Sequence, residues 1–252
     1  AMLLRFGFPE DRITSLHNEE ASRSRIQNEL LKRALTTLDR EDGMVVFFAG
    51  HGLTKQTADG RLVGFWVPVD GDPGEPAETC VSMSLIAQAC SDWQAKHVLV
   101  IADCCHSGLA LQRSATLPSP TEGYLEKITS SRARQVLTAG GKDEKATEVF
   151  GHGLFTDSLI DGLNGPADID SDGLITATEI GHYVKKRVSV RSGHKQTPLF
   201  GSLAGEGEFV FVRQDLNSLE QAELEQRALQ SEQYEEHYLA AIGAMNAGKW
   251  RA

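Results

Sequence analysis

The sequence has few cysteines and no regular cysteine pattern. Its four cysteines, Cys80, Cys90, Cys104 and Cys105, are too few and too irregularly spaced for a disulfide scaffold in a chain of 252 residues. No pair has the Cys-x-x-Cys spacing that is typical of a zinc site. We therefore expect the thiols to be reduced.

Long apolar runs and an excess of positive charge are also absent. The longest apolar runs, MVVFFA and HVLVIA, are far shorter than the roughly 18 to 20 residues of a membrane helix, and AMLLRFGFPE has too short an apolar stretch for a secretory signal. The formal net charge of -10 argues against a surface built to bind nucleic acid. We expect a soluble, cytoplasmic protein with neither a membrane nor a nucleic-acid partner.

Short apolar runs alternate with helix-like segments along most of the chain. This pattern is typical of an α/β fold with a mostly parallel sheet that is covered by helices on both faces. The periodicity predicts the following strands and helices: strands at 44–48, 62–69, 97–102, 135–138 and 208–212, and helices at 22–38, 83–89, 155–163 and 179–188.

The composition changes at the C-terminal end, where Glu, Gln, Ala and Leu dominate and turn residues are scarce. We divide the chain into a domain at 1–213 and a helical extension at 214–252. The stretch YLAAIGAMNAGKWRA has the spacing of a helical-repeat unit. A solvated helix on the domain is an equally good interpretation.

Two predicted strands end in reactive side chains. FFAGHG carries His51 in a predicted loop, and ADCCHSG carries Cys105, with 54 positions separating the two residues. A cysteine nucleophile needs an imidazole that is close in the fold, and neighbouring strands would supply it. The backbone N–H groups of Gly52 and Cys105 are candidates for an oxyanion hole. Taken singly, such a cysteine is more often an inert apolar residue, and such a histidine is often a turn residue.

The motifs FFAGHG, GFWVPVDGDP, VLVIADCCHSG, SRARQVLTAGG and HGLFTDSLIDGL resemble, in this order, the caspase-like cysteine peptidases, and most of all the bacterial members and the metacaspases. The resemblance runs roughly from Phe6 to Val212. It implies a caspase-like three-layer sandwich, in which we expect the first strand of the family to be missing. It also implies that Cys105 is the nucleophile, that His51 is the general acid and base, and that Cys104 is a small buried neighbour.

The same resemblance implies a substrate preference. Asp103 stands where metacaspases have an aspartate in the pocket for the residue that precedes the cut, and Asp143 resembles a second acidic pocket residue. Since an acidic pocket attracts cations, we expect cleavage after Arg or Lys. Alternatively, Asp103 is a turn carboxylate that caps the following helix. No cofactor is expected for the chemistry itself.

The segment from Gln112 to Ser130 lies where caspases are cut between their large and small parts. Basic residues lie within it and just after it, so self-cleavage is a hypothesis that follows from the expected specificity. The candidate sites are Arg113, Lys127, Arg132 and Arg134.

A calcium-binding pattern occurs near the end of the domain. The stretch DIDSDGLITATE matches the EF-hand loop at every defined position. We expect Ca²⁺ as a structural or activating ion, held by Asp168, Asp170, Asp172, the Leu174 carbonyl and Glu179. Alternatively, Glu179 forms a capping box with Thr176 and the aspartates merely face water.

Three functions remain open at this point. The first is a cysteine endopeptidase that cleaves after Arg or Lys through Cys105, His51 and a thioester acyl-enzyme, with a protein or peptide as substrate. The second is a catalytically silent caspase-like binding module, and the third is a calcium-responsive adaptor. The resemblance also suggests a sensor or partner domain that is linked through the C-terminal helices.

Overall fold

The computed structural model describes residues 2–36, 38–104, 112–113, 127–140, 148–149 and 152–212. The predicted C-terminal extension at 214–252 lies outside these residues.

Three short 3₁₀ helices come first, at Leu3–Phe6, Glu10–Arg12 and Asn18–Glu20. The α-helices are α1 (Arg23–Thr36), α2 (Pro76–Thr79), α3 (Met83–Asp92), α4 (Leu154–Leu163) and α5 (Ala177–Arg191). The strands are β1 (Gly43–Ala49), β2 (His51–Gln56), β3 (Leu62–Val67), β4 (Val81–Ser82), β5 (His97–Asp103), β6 (Gln112–Arg113), β7 (Ala133–Thr138), β8 (Glu148–Val149), β9 (His152–Gly153), β10 (Leu174–Thr176), β11 (Leu199–Ala204) and β12 (Val210–Val212).

The main sheet has five strands in the order β1-β5-β7-β11-β6. Strands β1, β5 and β7 are parallel, whereas β11 pairs antiparallel with both β7 and β6. The sheet is therefore mixed, with its three parallel strands side by side on the β1 side and the antiparallel pairings on the other. Smaller sheets are formed by β2-β3-β4, β8-β9 and β10-β12.

Strand β5 shows why helices cover both faces of this sheet. Its apolar run has no polar interruption, and successive side chains of a strand point to opposite faces. Leu99 and Ile101 belong to a core cluster that is shared with α4 and α5. Val98, Val100 and Ala102 belong to a second cluster that is shared with α1 and α3. The result is the predicted α/β sandwich of three layers.

A buried arginine joins the central strands to the helix before them. Arg134 on β7 is only 3% exposed. Its guanidinium donates to the carbonyl oxygens of Cys90, Trp93, Ala95 and Lys96, at the end of α3 and in the turn that leads to β5. These bonds satisfy helix-terminal carbonyls that water cannot reach. The burial of Arg134 inside the folded core argues against self-cleavage after this residue.

Each strand and helix predicted from periodicity is present, with ends that shift by a few residues. Strands β2 and β11 were not predicted, because HGLTKQ and LFGSLA lack an alternating or continuous apolar pattern. Among the described residues, no helix is long and apolar enough to cross a membrane.

Candidate active site and acidic loop

The candidate active site lies where β1 and β5 end side by side. Ala49 is the register partner of Asp103 in the parallel ladder, and the Gly50 amide donates to the Asp103 carbonyl oxygen at 3.2 Å. His51 follows two positions after Ala49, and Cys105 follows two positions after Asp103. The ladder therefore brings the histidine segment and the cysteine segment to the same end of the sheet, where open α/β sheets hold their ligands.

His51 is the first residue of β2 rather than part of a loop, which corrects the expectation from the sequence. Its register partner in β3 is Val67, and that of Gly52 is Trp66. The Trp66 ring stacks on Phe48 of β1, with centroids 4.4 Å apart and planes inclined by 3°. This stack fixes the small sheet against the main one. The His51 side chain nevertheless remains exposed to solvent.

The cysteines that the structure describes are buried. Cys104 is 1% exposed and belongs to the apolar cluster with Trp66 and Val136, which confirms its reading as a buried neighbour. Burial raises the pKa of the Cys90 thiol to about 12, so that thiol is unreactive at neutral pH. Cys105 and Asp143 lie outside the described residues.

Asp103 closes β5 and turns its carboxylate toward the start of α4. The Thr156 hydroxyl donates to Asp103 Oδ2 at 2.5 Å. Burial raises the pKa of Asp103, while side-chain and backbone hydrogen bonds from Thr156 oppose this rise. Asp103 therefore contacts a helix start, as the alternative interpretation held, but the helix is α4 and lies far along the chain.

Gly153 makes this approach possible. It precedes the first residue of α4 and provides no side-chain cap. A Cβ atom at this position would stand 2.6 Å from Asp103 Oδ2, which is closer than Cβ contacts come. The carboxylate from β5 thus takes the place that an N-cap side chain would otherwise occupy.

The acidic loop lies between α4 and α5 and holds three carboxylates close together. Ligand oxygens of Asp168, Asp170 and Asp172 all lie within 4.8 Å of one another, and the three residues are half-buried. Asp168 accepts from the amides of Asp172 and Gly173 at 3.1 Å each. Gly173 has φ +85°, the left-handed conformation that glycine adopts without strain.

Glu179, the last residue of the loop pattern, has partners of its own. Its Oε2 atom accepts from the Thr176 amide and hydroxyl, each at 2.8 Å, and Oε1 accepts from the Ile169 amide at 3.0 Å. The Thr176 hydroxyl in turn accepts from the Glu179 amide, so the predicted capping box of α5 is present. Glu179 is thus hydrogen-bonded to the aspartate loop at Ile169 and to the start of α5 at Thr176.

Comparison with known families decides which fold family this sheet belongs to. A model of the caspase domain matches residues 1–209. The chain belongs to the caspase domain family. No curated protein matches the chain. Among solved structures, it is similar to the crystal structure of a protein from Geobacter sulfurreducens, with 18% identity, 75% of this chain and 76% of that chain covered, and a TM-score of 0.48.

Membership of the caspase domain family confirms the resemblance drawn from the motifs and the α/β sandwich. The family is one of cysteine peptidases, whose substrates are proteins. Within this caspase domain, the register of β1 and β5 shows how the two motifs come together.

Sequence reasoning missed the partner of Asp103. Thr156 lies 53 positions downstream, and its hydroxyl meets the carboxylate only because α4 packs beside the end of β5. The one available signal was the Gly-x-x-Thr spacing at the predicted helix start. A glycine there cannot cap the helix with a side chain, so it leaves room for a hydrogen-bond acceptor from another part of the chain.

Proposed function

We propose that this caspase domain is a cysteine endopeptidase in which Cys105 is the nucleophile and His51 is the general acid and base. The observation that carries the proposal is the pairing of Ala49 with Asp103, extended by the Gly50 to Asp103 hydrogen bond. It supports a short distance between the segments that bear the two reactive groups. The exposure of His51 and the burial of Cys104 support the choice of Cys105 as the attacking thiol.

The reaction is an acyl transfer. The Cys105 thiolate attacks the scissile carbonyl carbon, and the carbonyl oxygen takes up the negative charge near the backbone N–H groups of Gly52 and Cys105. His51 in its protonated form gives its proton to the leaving amine as the C–N bond breaks. Neutral His51 then takes a proton from water, the resulting hydroxide attacks the thioester, and the thiolate leaves.

We propose that the enzyme cuts after Arg or Lys and that Asp103 supplies the negative charge for this preference. The position of Asp103 supports this proposal, because it is the last residue of β5 and precedes the proposed nucleophile by two positions. A half-buried carboxylate attracts a cation more strongly than an exposed one and repels an acidic side chain. Asp143 remains a candidate for a second pocket acid on the family resemblance alone.

The test uses three fluorogenic peptides that differ only in Arg, Lys or Asp before the cut. We expect wild-type protein to cleave the first two, and Cys105→Ala to cleave none. Cys104→Ala is the matched control, because it removes a neighbouring thiol that is buried; it should retain cleavage. Cleavage of the Asp peptide in preference to the others would contradict the specificity, and cleavage by Cys105→Ala would contradict the mechanism.

We propose Lys127 as the site of self-cleavage. Lys127 is exposed, although residues 127–130 are helical and must open before cleavage. Arg113 lies in β6 and pairs with Gly201. The backbone after Arg132 is covered, because its carbonyl oxygen accepts from the Gly207 amide at 3.0 Å.

Self-cleavage is followed by denaturing gel electrophoresis after purification. Wild-type protein should yield two fragments, whereas Lys127→Gln and Cys105→Ala should remain one chain. Arg132→Gln is the control that should still be cut. Fragments from Cys105→Ala in the absence of other peptidases would exclude self-cleavage.

We also propose that the acidic loop binds Ca²⁺ through Asp168, Asp170, Asp172, the Leu174 carbonyl and Glu179. The match to the EF-hand pattern and the grouping of three carboxylates within 4.8 Å support the proposal. Glu179 must then share its carboxylate between the ion and the amides of Thr176 and Ile169. Calcium-dependent melting in a protein that cleaves no peptide would favour the calcium-responsive adaptor over the peptidase.

A further inference from the structure

We propose that Thr156 is a positioning residue for substrate selection, because it orients the Asp103 carboxylate toward the cation of the residue before the cut. The inference rests on the proposed peptidase function and concerns the same site. Thr156 is the third residue of α4 and is remote in sequence from both reactive segments. Its contact with the end of β5 is made by a side-chain hydroxyl, which a single substitution can remove.

The geometry around Asp103 leaves its carboxylate few choices of orientation. On one side Thr156 donates to Oδ2 at 2.5 Å, and the Thr156 backbone N–H also donates to the carboxylate. On the other side Gly153 approaches so closely that a Cβ atom would stand 2.6 Å from the same oxygen. The Thr156 hydroxyl, which donates a hydrogen bond, and Gly153, which has no side chain to block the approach, thus both determine where Asp103 Oδ2 lies.

The electrostatics of the helix start favour the ionised form of Asp103. The N–H groups in the first turn of a helix have no partner within that helix, and the helix start carries a partial positive charge. Burial alone would favour the neutral acid, which cannot select Arg or Lys by charge. The Thr156 hydrogen bonds oppose burial, so the same contact that orients the carboxylate also helps it to retain its charge.

A purely structural role for this contact makes a different prediction. If Asp103 only caps α4, loss of the Thr156 hydroxyl should lower stability and affect all substrates equally. If Thr156 positions the carboxylate that selects the substrate, removal of the hydroxyl should lower kcat/KM mainly for cationic substrates. The ratio of kcat/KM for an Arg peptide to kcat/KM for the same peptide with citrulline, its neutral isostere, separates the two.

The experiment measures this Arg-to-citrulline ratio in wild-type protein and in matched variants. Thr156→Val removes the hydroxyl and keeps the shape, whereas Thr156→Ser keeps the hydroxyl. Gly153→Ala displaces the carboxylate by contact instead of by loss of a hydrogen bond. Ser158→Ala is the control, because its hydroxyl donates within α4 to the Leu154 carbonyl oxygen and not to Asp103. Thermal melting checks that each variant is folded.

We expect Thr156→Val and Gly153→Ala to lower the ratio by about tenfold, mostly through KM for the Arg peptide, since a hydrogen bond to a charged group is worth roughly one to two powers of ten. Thr156→Ser should recover most of the ratio, and Ser158→Ala should leave it unchanged. A ratio that stays at the wild-type value in a folded Thr156→Val or Gly153→Ala protein overturns this inference alone. Wild-type protein that cleaves neither peptide overturns the peptidase proposal, and the inference with it.

Discussion

This domain has half-buried carboxylates in two places: a single one, Asp103, at the end of β5, and a group of them in the acidic loop. In both places burial disfavours the charged form, but the surroundings differ. Burial raises the pKa of Asp103 at the end of β5, and it raises the pKa of Asp168 to about 6 and of Asp172 to about 7 in the acidic loop. At Asp103, hydrogen bonds from Thr156 oppose this rise. In the loop, neighbouring carboxylates such as Asp170 add to it.

The difference teaches what each region can do with its charge. A single carboxylate that receives donors from a helix start is helped to keep its negative charge, which the proposed selection of Arg or Lys requires. A group of carboxylates also receives amide donors from its own loop, as Asp172 does from Leu174 at 2.8 Å. Those donors do not offset mutual repulsion, so a divalent cation is the partner that would stabilise the group.

The largest effect is expected from variants that remove the reactive groups and leave the charge of Asp103 in place. Replacing the nucleophile by Cys105→Ala, or the acid-base by His51→Ala, should lower kcat/KM by about a thousandfold or more, because each removes a group on which bond breaking depends. Steady-state cleavage of the Arg peptide measures this. A His51→Ala enzyme with more than a tenth of wild-type activity would contradict the assignment of the histidine.

Changing Asp103 without changing the reactive groups sharpens the comparison. Asp103→Asn should lower kcat/KM for the Arg peptide by about tenfold to a hundredfold, because a half-buried ion pair is lost while the shape is kept. Cleavage of the citrulline peptide should change little. An equal loss on both peptides would mean that Asp103 serves α4 and the fold, and not the choice of substrate.

Calcium should stabilise the acidic loop and leave the Asp103 region unaffected. At a hundredfold excess over its Kd, the ion should add about 2.7 kcal/mol to the free energy of unfolding, which differential scanning calorimetry detects as a higher Tm than with chelator.

Two variants in the loop separate calcium binding from helix capping. Asp170→Ala removes a ligand oxygen and should abolish the calcium response. Thr176→Ala should cost about 1 kcal/mol through loss of the cap and keep the response. Equal Tm values with calcium and with chelator would refute the metal site.

The smallest expected effect is a pH dependence of selectivity. Because the pKa of Asp103 is raised, protonation should begin at a higher pH than for an ordinary aspartate, and the Arg-to-citrulline ratio should fall as the pH falls through that pKa. The ratio cancels any effect of pH that acts equally on both peptides. The nearby carboxylate of Asp157 on α4 is paired with Arg191 at 2.6 Å. In Asp103→Asn the Arg-to-citrulline ratio should not change with pH. A ratio that does not change with pH in wild-type protein would contradict the role of Asp103.

The sequence predicts much of this fold because the central strands are apolar on both faces. HVLVI forms the buried strand β5 between two helical layers, whereas MVVFF forms β1 at the edge of the main sheet, where Phe47 is exposed. The motifs that follow the two strands come to one end of the sheet because β1 and β5 are parallel. Strand β2 escaped prediction because Lys55 and Gln56 are exposed and give it no apolar pattern. The contact between Thr156 and Asp103 escaped because it depends on how α4 docks, which no local pattern specifies.

Arg134 has a consequence for the chain after it has been cut. A cut at Lys127 would leave β5 on one piece and β7 on the other, yet six register pairs join these strands, from His97 and Ala133 to Ala102 and Thr138. The guanidinium of Arg134 would still bind carbonyl oxygens of the first piece in the core. The two pieces would therefore run as separate bands on a denaturing gel and elute together as one particle from a size-exclusion column.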